Sequence, residues 1–186
     1  MDATAPSTLV APERSVLAKG GRTPGVSGAT VTDRFADAST TIYTVTIDPQ
    51  RRNLLHFGPH TLDISANAIC GLESGYGPGS FDLHCKGEKD PVTITATVRE
   101  TASGIARIDL MPEMRFSPKR KVTLTMYVPD LSPQSPAWTI LYCATRTTEH
   151  CIDESLFDST LKTHADYGSS TLFRRIKHFS GYYVLE

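Results

Sequence analysis

The sequence contains no run of apolar residues long enough to span a bilayer, and its first residues lack the apolar core of a secretory signal. It also contains no Gly-x-Gly-x-x-Gly motif, phosphate-binding loop, nucleophile elbow or His-Glu-x-x-His motif. Those absences argue against nucleotide binding and against ordinary hydrolase or zinc-protease chemistry. An excess of charge of one sign is lacking too, because 19 basic and 20 acidic residues leave a formal net charge of −1. We therefore expect no membrane-spanning segment, no nucleic-acid partner and no cofactor.

The amino-terminal part of the 186-residue sequence differs in composition from the rest. Residues 1–40 are predicted to form a flexible tether, because their first 28 residues are mostly small or polar and cannot bury enough surface to offset the entropy of ordering. Residues 41–186 are long enough for one globular domain. Such a tether is what remains when an exported protein or a lipoprotein loses its signal. We expect an extracytoplasmic protein, whether periplasmic, surface-bound or secreted, and lipid anchoring through the tether is one form of this hypothesis.

Four cysteines form two pairs that are close in the sequence: Cys70 with Cys85, and Cys143 with Cys151. Each pair could close a local loop as a disulfide, and we favour this pairing among the three connectivities that four cysteines allow. Two disulfides would imply an oxidising compartment. A metal site is the alternative, because His84 and His150 each directly precede a cysteine. The C-x-x-C spacing typical of structural zinc is missing, so we expect no metal.

From residue 41 onward, short stretches alternate apolar and polar residues with a period of two, as half-buried strands do. Strands are predicted in TTIYTVTI, HTLDISANAI, PVTITATVRE, GIARIDLM, KVTLTMYV and AWTILYC. A short helix or turn is predicted between Thr147 and Tyr167, and the final STLFRRIKHFSGYYVL is predicted to be two short strands or one bent strand. Many short strands with almost no helix predict an all-β fold, an antiparallel β-sandwich.

Three further groups of residues could bind or react, although each has a simpler structural interpretation. Lys119, Arg120 and Lys121, with Arg115 nearby, could bind phosphate, but a solvated turn between strands is favoured. The stretch GYGPG, residues 75–79, could contact a ligand, but loop tips are usually only connections. Paired carboxylates such as Asp153 with Glu154 could serve acid-base chemistry, but nothing in the sequence brings two of them to one cleft, and a solvated loop is favoured.

Three stretches of the sequence resemble a known family. FGPHTLDISANAIC resembles a glycine, an alternating strand and a turn that open the ZU-five domain, and MPEMRFSPKRKVTLTMYV resembles the later proline, phenylalanine and V-x-L signature of that domain. The ZU-five domain is the β-sandwich module of zonula occludens proteins, ankyrins and netrin receptors. HFSGY, residues 178–182, resembles the self-cleaving members, which cut between Phe and Ser. The resemblance covers residues 41–186 and implies a secreted, bacterial-type ZU-five-like sandwich.

The tripeptide His178, Phe179 and Ser180 could carry out this cleavage with its own side chains. Positions i and i+2 of a strand share a face, so His178 and Ser180 would project together while Phe179 enters the core. His178 would act as the base and Ser180 as the nucleophile in a nitrogen-to-oxygen acyl shift that needs no cofactor. The alternative is that His178 and Ser180 lie on the exposed face of a closing strand, with Phe179 and Tyr183 in the core.

Two functions of different classes follow from the sequence. The first is a noncatalytic structural or interaction module of the cell envelope, which binds a protein partner through sheet edges or loops. The second is an autoproteolytic domain that cleaves its own Phe179–Ser180 bond in a single turnover. Neither function is a conventional enzyme activity. Whether the Phe179–Ser180 peptide bond is cleaved distinguishes the two.

Overall fold

The computed structural model describes residues 35, 37–134, 138–144 and 151–185. Most of the tether predicted over residues 1–40 lies outside these ranges, so its flexibility stays a prediction. Within the described residues the protein is all-β, with eleven strands in two antiparallel sheets. The helical residues of the same ranges belong to three short 3-10 helices. The predicted antiparallel β-sandwich is confirmed.

The larger sheet contains six strands in the order β1-β4-β5-β11-β7-β8. Their bounds are β1 Ser39–Ile47, β4 Val92–Glu100, β5 Ala106–Met111, β11 Gly181–Leu185, β7 Thr139–Cys143 and β8 Cys151–Ile152. The smaller sheet contains five strands in the order β2-β3-β6-β10-β9. Their bounds are β2 Asn53–Phe57, β3 His60–Ile64, β6 Val122–Tyr127, β10 Thr171–Arg175 and β9 His164–Asp166. The three 3-10 helices are Leu72–Ser74, Glu154–Leu156 and Ser159–Leu161.

The main apolar core contains side chains from both sheets, and a smaller cluster is formed by Phe35, Leu141, Cys143 and Tyr183. In β4 the alternation seen in the sequence is the alternation of burial, because Val92 and Ile94 are buried while Thr93 between them is exposed. Strands of both sheets contribute fully buried side chains: Leu62, Leu124, Leu172, Ile94, Ile108 and Tyr182. Apolar surface of this kind, removed from water on both inner faces, holds a sandwich together.

Both predicted disulfides are present, Cys70 with Cys85 and Cys143 with Cys151. The four sulfur atoms are therefore joined in two disulfide pairs and cannot serve as zinc ligands. His150, the second histidine of the alternative metal site, lies outside the described residues. No helix in the described ranges is long and apolar enough to cross a membrane.

The final segment forms two strands that belong to different sheets. β10 lies in the smaller sheet, β11 lies in the larger one, and the chain crosses between the sheets from Ile176 to Ser180. The tripeptide therefore precedes the last strand instead of lying within it. His178 forms a single bridge with Arg115, and its side chain is fully buried, so the expectation of an exposed strand face at this residue is wrong.

Candidate functional site

The backbone around the tripeptide is held by neighbouring segments on both sides. The Phe179 N–H donates to the Met114 carbonyl at 2.8 Å, and the Leu110 N–H donates to the Ser180 carbonyl at 2.9 Å. The Phe179 ring is fully buried and meets the Phe116 ring edge-on, with 4.9 Å between the ring centroids. The Phe179–Ser180 peptide bond is consequently fixed in position, with the phenylalanine side chain in the core as the sequence predicts.

Tyr76 contacts the carbonyl of this peptide bond. Its hydroxyl donates to the Phe179 carbonyl oxygen at 2.6 Å, and it also lies 3.4 Å from Nδ1 of His178. Burial raises the pKa of Tyr76 well above its ordinary value, and a hydrogen bond with Ser180 opposes that shift. The Tyr76 hydroxyl therefore stays protonated at neutral pH and keeps a donor aimed at the Phe179 carbonyl.

The loop that carries Tyr76 is clamped at several points. The Cys70–Cys85 disulfide closes it, and the buried guanidinium of Arg115 lies inside it. Arg115 donates at 3.1, 3.2 and 2.7 Å to three backbone carbonyls of the loop, those of Ser74, Gly75 and Leu83. These contacts correct the sequence interpretation that placed Arg115 in a basic surface cluster. Arg115 instead fixes the position from which Tyr76 reaches Phe179.

His178 is enclosed by aromatic rings. Its imidazole stacks on Phe81 with 4.0 Å between ring centroids, and Tyr142 meets it edge-on at 4.7 Å. Nε2 of His178 lies 3.3 Å from Oε1 of Glu154, and Nδ1 faces the Tyr76 hydroxyl. Because an ionised carboxylate can only accept, Glu154 favours the tautomer that carries its proton on Nε2. Nδ1 is then left as the basic nitrogen.

Glu154 is fixed by a buried arginine. Its Oε2 accepts from Nη2 of Arg174 at 2.7 Å, and Nη1 of the same fully buried guanidinium donates to the Ile140 carbonyl at 2.6 Å. A buried guanidinium that donates to both a carboxylate and a backbone carbonyl fixes the position of the carboxylate. The sequence interpretation of Asp153 and Glu154 as a solvated loop is therefore wrong for Glu154.

Ser180 forms no direct hydrogen bond to His178 among the described contacts, although the two residues are close in the chain. Its hydroxyl donates to the Cys143 carbonyl at 3.2 Å, and it neighbours the hydroxyls of Tyr76 and Tyr142. Burial raises the pKa of Tyr142, and a hydrogen bond with Ser180 opposes this shift as well. Ser180 also lines a surface groove of about 470 Å³. Water can therefore reach the serine side of the peptide bond.

Gly181 follows Ser180 because the space around it excludes a side chain. A Cβ atom at this position would lie 2.6 Å from Oδ1 of Asp109 and 3.1 Å from the Cys143 carbonyl oxygen. Both contacts are shorter than ordinary van der Waals separations. A glycine lets β11 approach β5 and β7 closely at the point where the tripeptide ends.

His178 and Ser180, the predicted base and nucleophile, form no hydrogen bond with each other among the described contacts, so their pairing stays a prediction. The structure adds partners that the sequence interpretation missed. The added side chains are Tyr76, Tyr142, Glu154 and Arg174. The only sequence signal for Tyr76 was its place within GYGPG, inside a loop closed by two cysteines. No group of three or more His, Cys, Asp or Glu side chains in the described part of the chain is arranged to hold a metal ion.

Comparison of the chain with protein-family models, with curated proteins and with solved structures found no match. The ZU-five resemblance therefore stays a prediction, and the function has to be inferred from the geometry of the site itself.

Proposed function

We propose that this chain is an autoproteolytic domain that cleaves its own Phe179–Ser180 bond once. The observation that carries the proposal is the 2.6 Å hydrogen bond from the Tyr76 hydroxyl to the Phe179 carbonyl. A donor at the carbonyl oxygen stabilises the negative charge that develops there when a nucleophile adds to the carbonyl carbon. Here the donor, a histidine and a serine converge on a single peptide bond.

The reaction starts with attack by Oγ of Ser180 on the carbonyl carbon of Phe179. The Ser180 hydroxyl first rotates away from the Cys143 carbonyl, and its proton passes to Nδ1 of His178. Tyr76 donates to the resulting oxyanion. The carbon–nitrogen bond then breaks, and His178 returns the proton to the departing Ser180 nitrogen. The product is an ester between the Phe179 acyl group and Oγ of Ser180.

Water completes the cleavage. One water molecule adds to the ester carbon, the bond to Oγ breaks, and the products are a Phe179 carboxylate and a Ser180 with a free amino group and a restored hydroxyl. Glu154 stabilises the imidazolium that forms on His178 between the two proton transfers. Water has access from the groove that Ser180 lines, so no cofactor is required.

The cleaved strand would stay in the folded protein. β11 lies between β5 and β7 and pairs with both, and Tyr182, Tyr183 and Val184 on it are buried. Ladder hydrogen bonds and buried surface hold the strand without the Phe179–Ser180 bond. Cleavage is therefore invisible in the native protein and becomes visible after unfolding.

The test is the intact mass of the purified 186-residue chain under denaturing conditions. The parent protein should lose a fragment that corresponds to Ser180–Glu186, and a Ser180→Ala variant should keep its full mass. Ser169→Ala, which changes an exposed serine in another loop, is the matched control and should cleave like the parent. A single uncut mass in the folded parent protein would overturn the proposal.

We propose an interaction module of the cell envelope as the second function, which an uncut mass would favour. Leu156 and Phe157 are 78% and 84% exposed beside the Cys143–Cys151 disulfide, and exposed apolar neighbours of this size are typical of a contact surface. Two disulfides are compatible with the extracytoplasmic location that this function needs. The tether that would carry a lipid anchor lies mostly outside the described residues.

A further inference from the structure

A groove of about 330 Å³ on the smaller sheet is lined by basic residues from three parts of the chain. The turn before β6 contributes Lys119, Arg120 and Lys121, Lys162 follows the last 3-10 helix, and Arg175 ends β10. No aspartate or glutamate is among the described residues that line it. The fold therefore adds Lys162 and Arg175 to the cluster that is visible in the sequence.

A second groove of about 570 Å³ adjoins the first and shares Lys119 and Arg120 with it. It adds the exposed side chains of Lys86 and Lys89. Among its described lining residues Glu88 carries the one carboxylate, which accepts hydrogen bonds from the backbone N–H groups of Lys89 and Asp90. Because the two grooves share Lys119 and Arg120, we call them together the basic track, on a chain whose formal net charge is −1.

The charges of this track are available to a ligand. Among the described residues, no carboxylate lies within 4 Å of six of its basic groups, those of Lys86, Lys89, Lys119, Arg120, Lys121 and Lys162. Arg175 donates to the carbonyls of Pro118 and Arg120 at 2.7 and 3.0 Å. Arg175 thus holds the turn in place and adds a positive charge that has no carboxylate partner in the described part of the chain.

We propose that the basic track binds an anionic polysaccharide, a chain of sugars that bears sulfate, phosphate or carboxylate groups. The basic groups are spread over two grooves, which suits a repeating polyanion better than a single small anion. Lysine predominates, and its ammonium group acts as a point charge without a fixed fork geometry. This proposal is independent of self-cleavage, because none of the exposed lysines contacts Tyr76, His178 or Ser180.

A nucleic acid is the competing polyanion, and the track lacks what single strands require. Bases of a bound single strand stack on exposed aromatic rings. Phe173 is the aromatic residue that lines the first groove, and its ring is already stacked on His164, with 5.4 Å between the centroids. The second groove has no phenylalanine, tyrosine or tryptophan among its described lining residues. An anionic polysaccharide needs only the charges.

The test measures binding of fluorescently labelled dextran sulfate to the full chain by anisotropy, beside uncharged dextran of the same length. The groove variant combines Lys119→Gln, Lys121→Gln and Lys162→Gln. The matched control combines Arg14→Gln, Lys19→Gln and Arg22→Gln, which removes the same formal charge from the amino-terminal segment. We expect the parent protein to bind dextran sulfate and not uncharged dextran. The affinity for dextran sulfate should fall by about tenfold or more in the groove variant and by less than about twofold in the control. Binding by the groove variant should also depend less on the salt concentration.

Three results would overturn the proposal. Equal losses in the two triple variants would show that net charge, and not the track, determines binding. Tighter binding of a single-stranded oligonucleotide than of dextran sulfate at the same salt concentration would favour a nucleic acid. Absence of dextran sulfate binding at low salt, with the parent fold shown intact by circular dichroism, would exclude the polyanion site.

Discussion

Tyr76→Phe removes the hydroxyl that contacts the Phe179 carbonyl and leaves the rest of the side chain in place. The Tyr76 ring meets the Phe81 ring edge-on, with 5.4 Å between their centroids, and this contact does not involve the hydroxyl. The disulfide and the Arg115 clamp that position the loop are also unchanged. The substitution therefore isolates one hydrogen bond at the bond that we propose is cleaved.

The size of the effect follows from the role of that hydrogen bond. A donor that only stabilises the fold contributes about 0.5–1.5 kcal/mol to the free energy of unfolding. A donor that stabilises an oxyanion lowers the activation free energy by about 2.7–4 kcal/mol, so its removal slows the reaction about 100-fold to 1,000-fold. We predict slower cleavage by about this factor.

The assay follows the cleaved fraction against time after cell-free synthesis under oxidising conditions, with samples unfolded before mass measurement. Tyr167→Phe changes a half-exposed tyrosine outside the site and should cleave at the parent rate. Urea unfolding of both variants shows whether each is folded. Cleavage of a folded Tyr76→Phe protein at the parent rate would refute the assignment of Tyr76 to the oxyanion.

Three further predictions concern stability and ionisation. Replacing Cys70 and Cys85 by serine opens a loop with a sequence separation of 15, so the free energy of unfolding measured in urea should fall by about 3 kcal/mol; an unchanged value would contradict this. Burial lowers the pKa of His60 below 6.5, so the folded protein favours the neutral imidazole. The contribution of His60 to the free energy of unfolding is therefore complete above pH 6.5 and is lost as the pH falls through the pKa of the folded state. An NMR titration midpoint above 6.5 would be inconsistent with the structure. The hydrogen bond with the Lys177 ammonium is the largest cause that lowers the pKa of Asp158 from 3.8 to about 2. The ionised Asp158 therefore stabilises the folded state above about pH 4, and this contribution is lost as the pH falls toward 2. An Asp158→Asn variant should unfold in acid with a weaker pH dependence over that window, and an unchanged dependence would argue against the ion pair.

Much of the fold could be predicted because strand burial repeats every two residues. The alternation in β4 and β6 is regular, and the two disulfides join cysteines that are close in the sequence. β2, β8 and β9 were not predicted. β8 and β9 contain two and three residues, which is too short for a period to be recognised, and in β2 the consecutive residues Leu54 and Leu55 interrupt the alternation.

The site was predictable only in part, because its components come from distant parts of the chain. His178, Phe179 and Ser180 are adjacent in the sequence, so a motif could reveal them. Tyr76 and Glu154 approach them only after the loop and the segment following β8 fold against the crossover between the sheets. The spacing of the tripeptide is also typical of a regular strand, so the crossover could not be predicted. This crossover places His178 in the interior.

The most direct measurement of self-cleavage identifies the new chain ends when the protein folds in the presence of hydroxylamine. An ester between Phe179 and Ser180 reacts with hydroxylamine, so we expect a hydroxamate at Phe179 in part of the product and a free amino group at Ser180 in all of it. The Ser180→Ala protein should yield neither end. New ends at any other bond, cleavage that persists in Ser180→Ala, or a Phe179 carboxylate with no hydroxamate at any hydroxylamine concentration would contradict the proposed acyl shift.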